Sequence, residues 1–489
     1  MAIKIIVLTA YALMIIIIGI IGLRKTKSFS DFFLGGGNVG PWMSAFSYGT
    51  AYFSAVVFIG FAGKVGWGFG FSGIWIGVFN ALIGVLGVWA LMGWKIKKMS
   101  IEYGVSTLSE FLEKRYDSSF FKLASSIAIF VFLVPYSAAV FIGLSKLFDA
   151  SFPEIQYWQI VVAMGVFTSI YLVLGGYKSM SIIDTFFGII MTVSVIILAL
   201  FTINKGGGMV SITETLSNIN PKLTETVGPP GWWPLFSLIF LTSVAPFAMP
   251  QLIQKFYAIK DKRSVKIGMI ASTFFALLIG CIAYFIGSTT RVFLHPGNAP
   301  LSFPAGAAGA IDADALMPEL LNLVVPQSLT VIILVLILSA SMSTLAALVL
   351  ISSSSLVKDF YAGFVNKNIS DKGLTGFMRI GSVLFIIISV IIALIKPESI
   401  VAILGISWGA VGSFFLGPFV WGLFNKNMNK FGALSSAFIG LSVCIILFII
   451  WGPSSSPQAG TIGMIVSFAI NPLFSYAYNL IKKIKSYIC

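Results

Sequence analysis

Long apolar runs recur along the whole chain, separated by short polar or basic stretches. A run of ~20 apolar residues spans the ~30 Å hydrocarbon core of a bilayer as an α-helix. Windows of that kind lie near 4–23 (α1), 40–62 (α2), 71–93 (α3), 121–148 (α4), 157–175 (α5), 181–203 (α6) and 233–254 (α7). They continue at 268–290 (α8), 327–356 (α9), 377–395 (α10), 399–424 (α11), 431–451 (α12) and 461–481 (α13). The pattern predicts an all-α integral membrane protein of about thirteen transmembrane helices. Glycine or proline inside α2, α7 and α11 blurs the edges of those three.

Composition agrees: 58% of the 489 residues are hydrophobic and only 10% are charged. A soluble domain carries roughly 25% charged residues. The net charge of +14 raises the question of an anionic partner, and the placement of the charges answers it. Alternate loops hold 23 Lys and Arg on one side, 24 with Lys122, against 7 on the other. By the positive-inside rule the N-terminus lies outside and the C-terminus in the cytoplasm of a multi-pass cell-membrane protein. The charge is topological, and nucleic acid is not an expected partner; a small solute and the lipid bilayer are, with no obligate protein partner evident.

Met1–Leu23 lacks an Ala-x-Ala cleavage site and its basic cluster follows the apolar run, so α1 reads as retained. Cys281, Cys444 and Cys489 are scattered and His295 stands alone beside a proline, which gives neither a disulfide framework nor a metal site. No nucleophile–base pair or phosphate loop is present, and the chain is not expected to be an enzyme.

Polar residues and helix breakers inside spans carry the functional signal, because backbone freed in lipid must be buried or line a cavity. The middle of α2 is rich in small and hydroxyl residues from Met43 to Ala55, including Gly49, Thr50 and Ser54. Such a run permits a helix break, or alternatively close helix packing. In α9, Ala340, Ser343 and Thr344 share a face, supplying neutral hard oxygens suited to an alkali cation. Back-bonding of the hydroxyls to carbonyls one turn earlier is the competing explanation. In α7, Pro246 and Pro250 remove backbone donors, either opening the helix or merely kinking it.

The interrupted α2 and α7 are five helices apart, as equivalent members of two inverted repeats are. This divides one transporter domain into a leader helix (4–23), repeat one (40–203), repeat two (233–424) and accessory helices (431–481). Asp184, the one acid placed inside a span, is a candidate gating residue or a hydrated interfacial one. Close packing accounts for the glycines of α11. The segment 291–325, with Asp312, Asp314 and Glu319, forms a short helix, a lid or a plain linker, and the sequence does not decide among them.

Several motifs in order resemble the sodium:solute symporter family from about residue 5 to 450. They are Asp31-Phe32-Phe33-Leu34-Gly35-Gly36; Ser54, Phe58-Ile59-Gly60 and Gly63; Tyr136-Ser137-Ala138 with Gly143; and Gly175-Gly176 followed by Ser181 and Asp184. Ala340-x-x-Ser343-Thr344, the Ser352–Ser355 run with Lys358-Asp359-Phe360-Tyr361, and Gly432-Ala433 complete the set. The resemblance implies a leucine-transporter-type 5+5 inverted-repeat core and secondary active import by sodium symport through alternating access. Sodium is then co-transported, and the family's main sodium site maps onto Thr50, Phe53, Ala340, Ser343 and Thr344. Thr50 and Phe53 depart from the small or aliphatic residues usual in the family at those positions. Tyr52 stands where the proline symporters carry an aspartate. Ala346 and Ala347 replace the serines of a relative with a second sodium, so one sodium per solute is expected.

Tyr52, Tyr136, Gln251 and Trp408 are the expected solute-lining residues, with helix breaks at Gly49, Pro246 and Pro250. Asp184 is expected to hold a gate through nearby hydroxyls or Lys178. The solute is a small organic molecule of amino-acid, carboxylate or sugar type. The Gln251-x-x-x-Lys255 spacing is similar to relatives that carry amino acids and small carboxylates. Two alternatives remain open: a membrane solute sensor, for which no output domain is visible before Cys489, and a proton-coupled symporter using Asp184.

Overall fold

The computed structural model describes residues 2–488 except 27, 153, 305–310, 327–328 and 397. Cys489 and part of the 291–325 segment therefore lie outside the described residues. Regular structure among the described residues is helical, apart from an isolated bridge that pairs Val39, ahead of α2, with Ile259, at the exit of α7. Among the described residues, eleven helical segments are long and apolar enough to cross a membrane. One of them, Val56–Tyr103, turns at Gly70, where the second half of α2 gives way to α3, and both pack against α8 (Lys262–Ser288). That turn and the shorter apolar helix Tyr157–Ile170 (α5) account for the difference between these eleven and the thirteen apolar windows. Gly70 has φ +59, and a β-carbon there would lie 2.2 Å from the Leu223 carbonyl oxygen, so glycine is required twice over. Gly176 (φ +60) likewise separates α5 from α6 within Tyr157–Lys205.

Burial sorts the helices. α9 (Thr330–Ser354, extended by the wider turns Ser355–Val365) and α11 (Ile400–Phe424) are almost wholly enclosed. α4 (Ser119–Ser151) and both halves of α7 pack beside them. α1 (Ala2–Lys25), α12 (Lys430–Trp451) and α13 (Ser456–Ile488) are mostly exposed on the outside of the bundle. In lipid there is no hydrophobic drive between helices, so close approach through small residues does the work. At Gly409 a β-carbon would lie 2.7 Å from the Gly460 α-carbon, which shows how tightly α11 and α13 meet.

The 291–325 segment contains a short helix, Leu316–Val324. The Asp314 carboxylate accepts the Ile400 N–H at the start of α11 (3.0 Å), and Lys146 of α4 pairs with Asp312 (2.6 Å). Burial pushes the Asp314 carboxyl up to about 6. At the opposite end of the bundle, the short helix Leu108–Tyr116 is fastened to the end of α9. Lys358 pairs with Glu110 (2.9 Å), and Thr107 donates to Asp359 (2.7 Å). Burial raises the Glu110 carboxyl, but the Lys358 charge and the Ser106 N–H outweigh it and hold the group below its ordinary range.

Candidate functional site

The first half of α2 runs Pro41–Tyr52 and ends at Phe53, which is extended (φ −100, ψ 104). The helix resumes after Ser54, whose hydroxyl accepts the Val56 N–H (3.2 Å) and so caps the second half. A wide turn at Val56–Phe61 leads into Ala62–Phe69. The break therefore falls at Phe53–Ser54, not at Gly49. Gly49 is helical; it is small because a β-carbon there would lie 2.6 Å from the Phe275 ring.

A helix that stops at Tyr52 leaves its last carbonyls without the amides of the next turn. The Thr344 hydroxyl of α9 lies against two of them, 3.1 Å from Ala51 O and 3.4 Å from Thr50 O. It is also 3.2 Å from Ala340 O, one turn back on its own helix. Ser343 Oγ is 2.8 Å from the Thr50 hydroxyl. All these residues are fully buried. By contrast, Ser341 simply donates back to Ile337 O (2.6 Å). The structure thus brings Thr50, Ala340, Ser343 and Thr344 together, along with the Ala51 carbonyl, which sequence reasoning missed. Phe53 caps the helix, and its ring packs edge-on to Tyr52 (4.9 Å) and Phe275 (6.3 Å).

One turn earlier on α2, Ser47 donates to the buried Asp184 carboxylate of α6 (2.6 Å). Lys255, from the second half of α7, donates in turn to the Ser47 hydroxyl (2.9 Å), and its ammonium sits 5.0 Å from the Tyr177 ring centre. Lys178, the expected basic partner of Asp184, is exposed instead. Lys255 directly follows the α7 window in sequence, where a lysine normally reaches water, yet it is 1% exposed.

α7 itself is interrupted: Trp232–Val244, a tight turn at Ala245–Phe247, then Pro250–Ala258 after an extended Met249. Pro246 is the second residue of the tight turn and Pro250 the first of the helix after it, positions in a first turn where a missing N–H costs nothing. Between the two breaks lies a cavity lined by Tyr52, Tyr136 and Trp408, and also by Ser54, Asn80, Thr242 and Tyr284. Its volume, 10 Å³ for the centre of a water-sized sphere, is room for about one water. The Tyr136 and Trp408 rings meet edge-on at 5.7 Å, and Tyr52 and Trp408 lie 6.0 Å apart. Gln251 is not among the lining residues. It points along α7, where its amide donates to Met249 Sδ (3.6 Å).

Asn80 was overlooked in the sequence, although an amide inside an apolar span is a signal in itself. Its side-chain oxygen accepts from Ser243 (2.9 Å) and Thr242 (2.7 Å), while the Tyr52 hydroxyl donates to Thr242 O (2.5 Å). Asn80 thereby ties α3 to the broken α7. Asn80→Leu leaves the buried Ser243 hydroxyl without its acceptor, while Thr242 still donates back to Leu238 O (2.7 Å), at a cost of roughly 1–3 kcal/mol. We expect a lower unfolding midpoint and weaker solute binding, measured on the same purified sample.

Two interrupted helices beside a buried cavity of mixed aromatic and polar lining are the arrangement of a membrane transporter. The sodium:solute symporter family matches residues 32–440, and the chain belongs to that family. It is 28% identical over 444 residues to the high-affinity proline transporter of Bacillus subtilis (strain 168), covering 88% of this chain and 89% of that one. To the sodium/pantothenate symporter of Haemophilus influenzae (strain ATCC 51907 / DSM 11121 / KW20 / Rd) it is 27% identical over 438 residues, 87% of this chain and 86% of the relative. A solved substrate-bound, outward-open Na+-coupled sialic acid symporter superposes with a TM-score of 0.79 at 19% identity, covering 97% of both chains. The fold is that of the leucine-transporter type, and sodium is the co-transported ion.

Proposed function

We propose that this chain imports a small organic solute carrying a carboxylate, of amino-acid or related type, together with one sodium ion. The N-terminus lies outside and the C-terminus in the cytoplasm of the cell membrane. Repeat one (40–203) and repeat two (233–424) alternate access to the cavity, and the solute leaves chemically unchanged. The observation that carries the reading is the Thr344 hydroxyl seated on the carbonyls freed by the α2 break. An ion at Thr50, Ala340, Ser343 and Thr344, with main-chain help from Phe53, binds α9 to α2 and favours the solute-ready state.

The charge balance beside this site supports a single ion. Asp184 is countered by Lys255 through Ser47, which leaves it little attraction for a second sodium. Asp184 then acts as a gating residue, joining α6 to α2 and α7. The described cavity lining is uncharged, so a solute carboxylate has no basic side chain there to meet. The start of the second half of α2, where a helix N-terminus carries partial positive charge, is suited to that role. Tyr52, Tyr136 and Trp408 would face the body of the solute. The relatives named for proline and pantothenate lean toward the same carboxylate chemistry.

A thermal-shift screen of amino acids, carboxylates and sugars, with and without sodium, tests this. Binding to the folded state at 100 times Kd stabilises by ~2.7 kcal/mol. A carboxylate solute should shift the midpoint strongly in sodium and little in its absence. Equal shifts in both would show that ion and solute are not linked, and would favour a sodium-independent sensor or a proton-coupled carrier.

A further inference from the structure

Two sizeable concavities among the described residues lie away from the transport path and share Phe424 in their walls. The first is a groove of about 510 Å³ between α3, α7, α11 and α13. Every residue lining it is apolar, among them Ile83, Leu91, Phe247, Val420 and Ile465. Ile83 and Leu91 mark its ends on α3, and eight residues of helix rise ~12 Å. That is a little less than half of a ~30 Å hydrocarbon core, so the groove is about one leaflet deep.

The second concavity is a pocket of about 540 Å³ at the ends of α3 and α11. Lys95, Lys98, Arg115 and Lys426 line it, with Glu102 as the one acidic lining residue. Phe424 belongs to both concavities, and the Lys95 ammonium sits 3.8 Å from the centre of its ring. Arg115 is fixed by donating to the Gly422, Asn425 and Met428 carbonyls at the end of α11 (2.9, 2.8 and 3.4 Å), none of which neutralises its charge. Among the described residues the ion pairs formed by basic side chains involve Lys122, Lys146 and Lys358, not these four.

An apolar groove one leaflet deep that meets, at Phe424, a cluster of cations without an ion pair matches the shape and charge of an anionic phospholipid. We propose that this is a phospholipid site. The phosphate of the headgroup lies among Lys95, Lys98, Arg115 and Lys426, and an acyl chain fills the groove to the level of Phe247. Basic pockets between transmembrane helices suit anionic headgroups on these grounds. Phe247 belongs to the turn that interrupts α7, and Val420 to α11, so the lipid touches elements that frame the solute cavity. Any difference in groove width between transport states makes the lipid a modulator of turnover. The site stands whichever end of the bundle faces the cytoplasm.

Native mass spectrometry of the detergent-purified full chain, titrated with dioleoyl phosphatidylglycerol or dioleoyl phosphatidylcholine, tests the proposal. The glycerol lipid should remain bound where the choline lipid is lost. Lys98→Gln/Lys426→Gln should weaken its binding about fivefold per lysine, the equivalent of ~1 kcal/mol per basic residue near a membrane surface. Ala469→Trp, which fills the exposed wall of the groove, should also weaken it. Lys260→Gln/Lys262→Gln, outside the pocket, should leave it unchanged. Equal retention of the two lipids overturns the proposal, as does insensitivity to the pocket pair. Displacement of the lipid by soluble glycerol phosphate at matched concentration would also overturn it, because the pocket would then be a site for free phosphate and the groove incidental.

Discussion

Replacing Ser343 and Thr344 together by alanine is expected to abolish sodium-stimulated uptake while the protein still folds. The two hydroxyls lie on the face of α9 that meets the α2 break, within 2.8 Å of the Thr50 hydroxyl and 3.1 Å of Ala51 O. A hard cation takes several oxygen ligands, and a buried site offers little water to replace two that are lost. Hydrogen bonds to charged groups contribute ~1.5–3 kcal/mol each, and ligand contacts of similar size would raise the sodium requirement about a hundredfold or more. Each hydroxyl is small and enclosed by helix, so alanine leaves the backbone intact. Ser341→Ala supplies the control, since that hydroxyl only bonds back to Ile337 O. Uptake against sodium concentration should be unaltered in this variant. A double mutant that keeps the wild-type sodium response would place the ion elsewhere.

The second large effect concerns Lys255. Lys255→Met removes the ammonium that reaches Asp184 through Ser47 and leaves a fully buried carboxylate uncompensated. Removing one partner of a buried charge pair costs ~3–5 kcal/mol. Asp184→Asn should be damaging for the mirror-image reason, stranding the ammonium. The combination Asp184→Asn/Lys255→Met should recover about half of the summed loss, a coupling of ~3 kcal/mol or more in a double-mutant cycle. Urea or thermal unfolding in detergent reads the stability, and uptake reads the gate. Additive losses would mean that the two charges do not sense each other.

Much of the fold was legible because membrane spans announce themselves by length and apolarity. The α7 break was legible for a different reason: Pro246 and Pro250 cannot donate, and the interruption falls between them. The hydroxyl face of α9 followed from helical spacing alone. The α2 break was harder to place. Its small and hydroxyl residues permit an interruption at any of several peptide units, and no proline marks one. Gly49 was the obvious suspect, yet its missing side chain makes room for Phe275, and the chain leaves the helix four residues later.

Lys255 was hidden by a sound rule applied one turn too far. Charges near the end of an apolar window normally reach water, but α7 restarts deep in the bundle at Pro250. The lysine five residues on is therefore still enclosed, at 1% exposure. The same shift turns Gln251 along its own helix and away from the cavity. Asn80 and Thr242 meet only because the Gly70 turn sends α3 along the first half of α7, and no local pattern encodes that pairing.

The central claim is that one sodium ion, held where α9 meets the α2 break, drives the solute inward. A reversal-potential measurement in proteoliposomes tests it most directly, with a solute from the thermal-shift screen and opposing gradients of sodium and solute. Net flux should vanish at the voltage for one sodium per solute, and uptake should rise with sodium with a Hill coefficient near one. Reversal at the voltage for two sodium ions, or flux that follows the proton gradient and ignores sodium, would contradict the account.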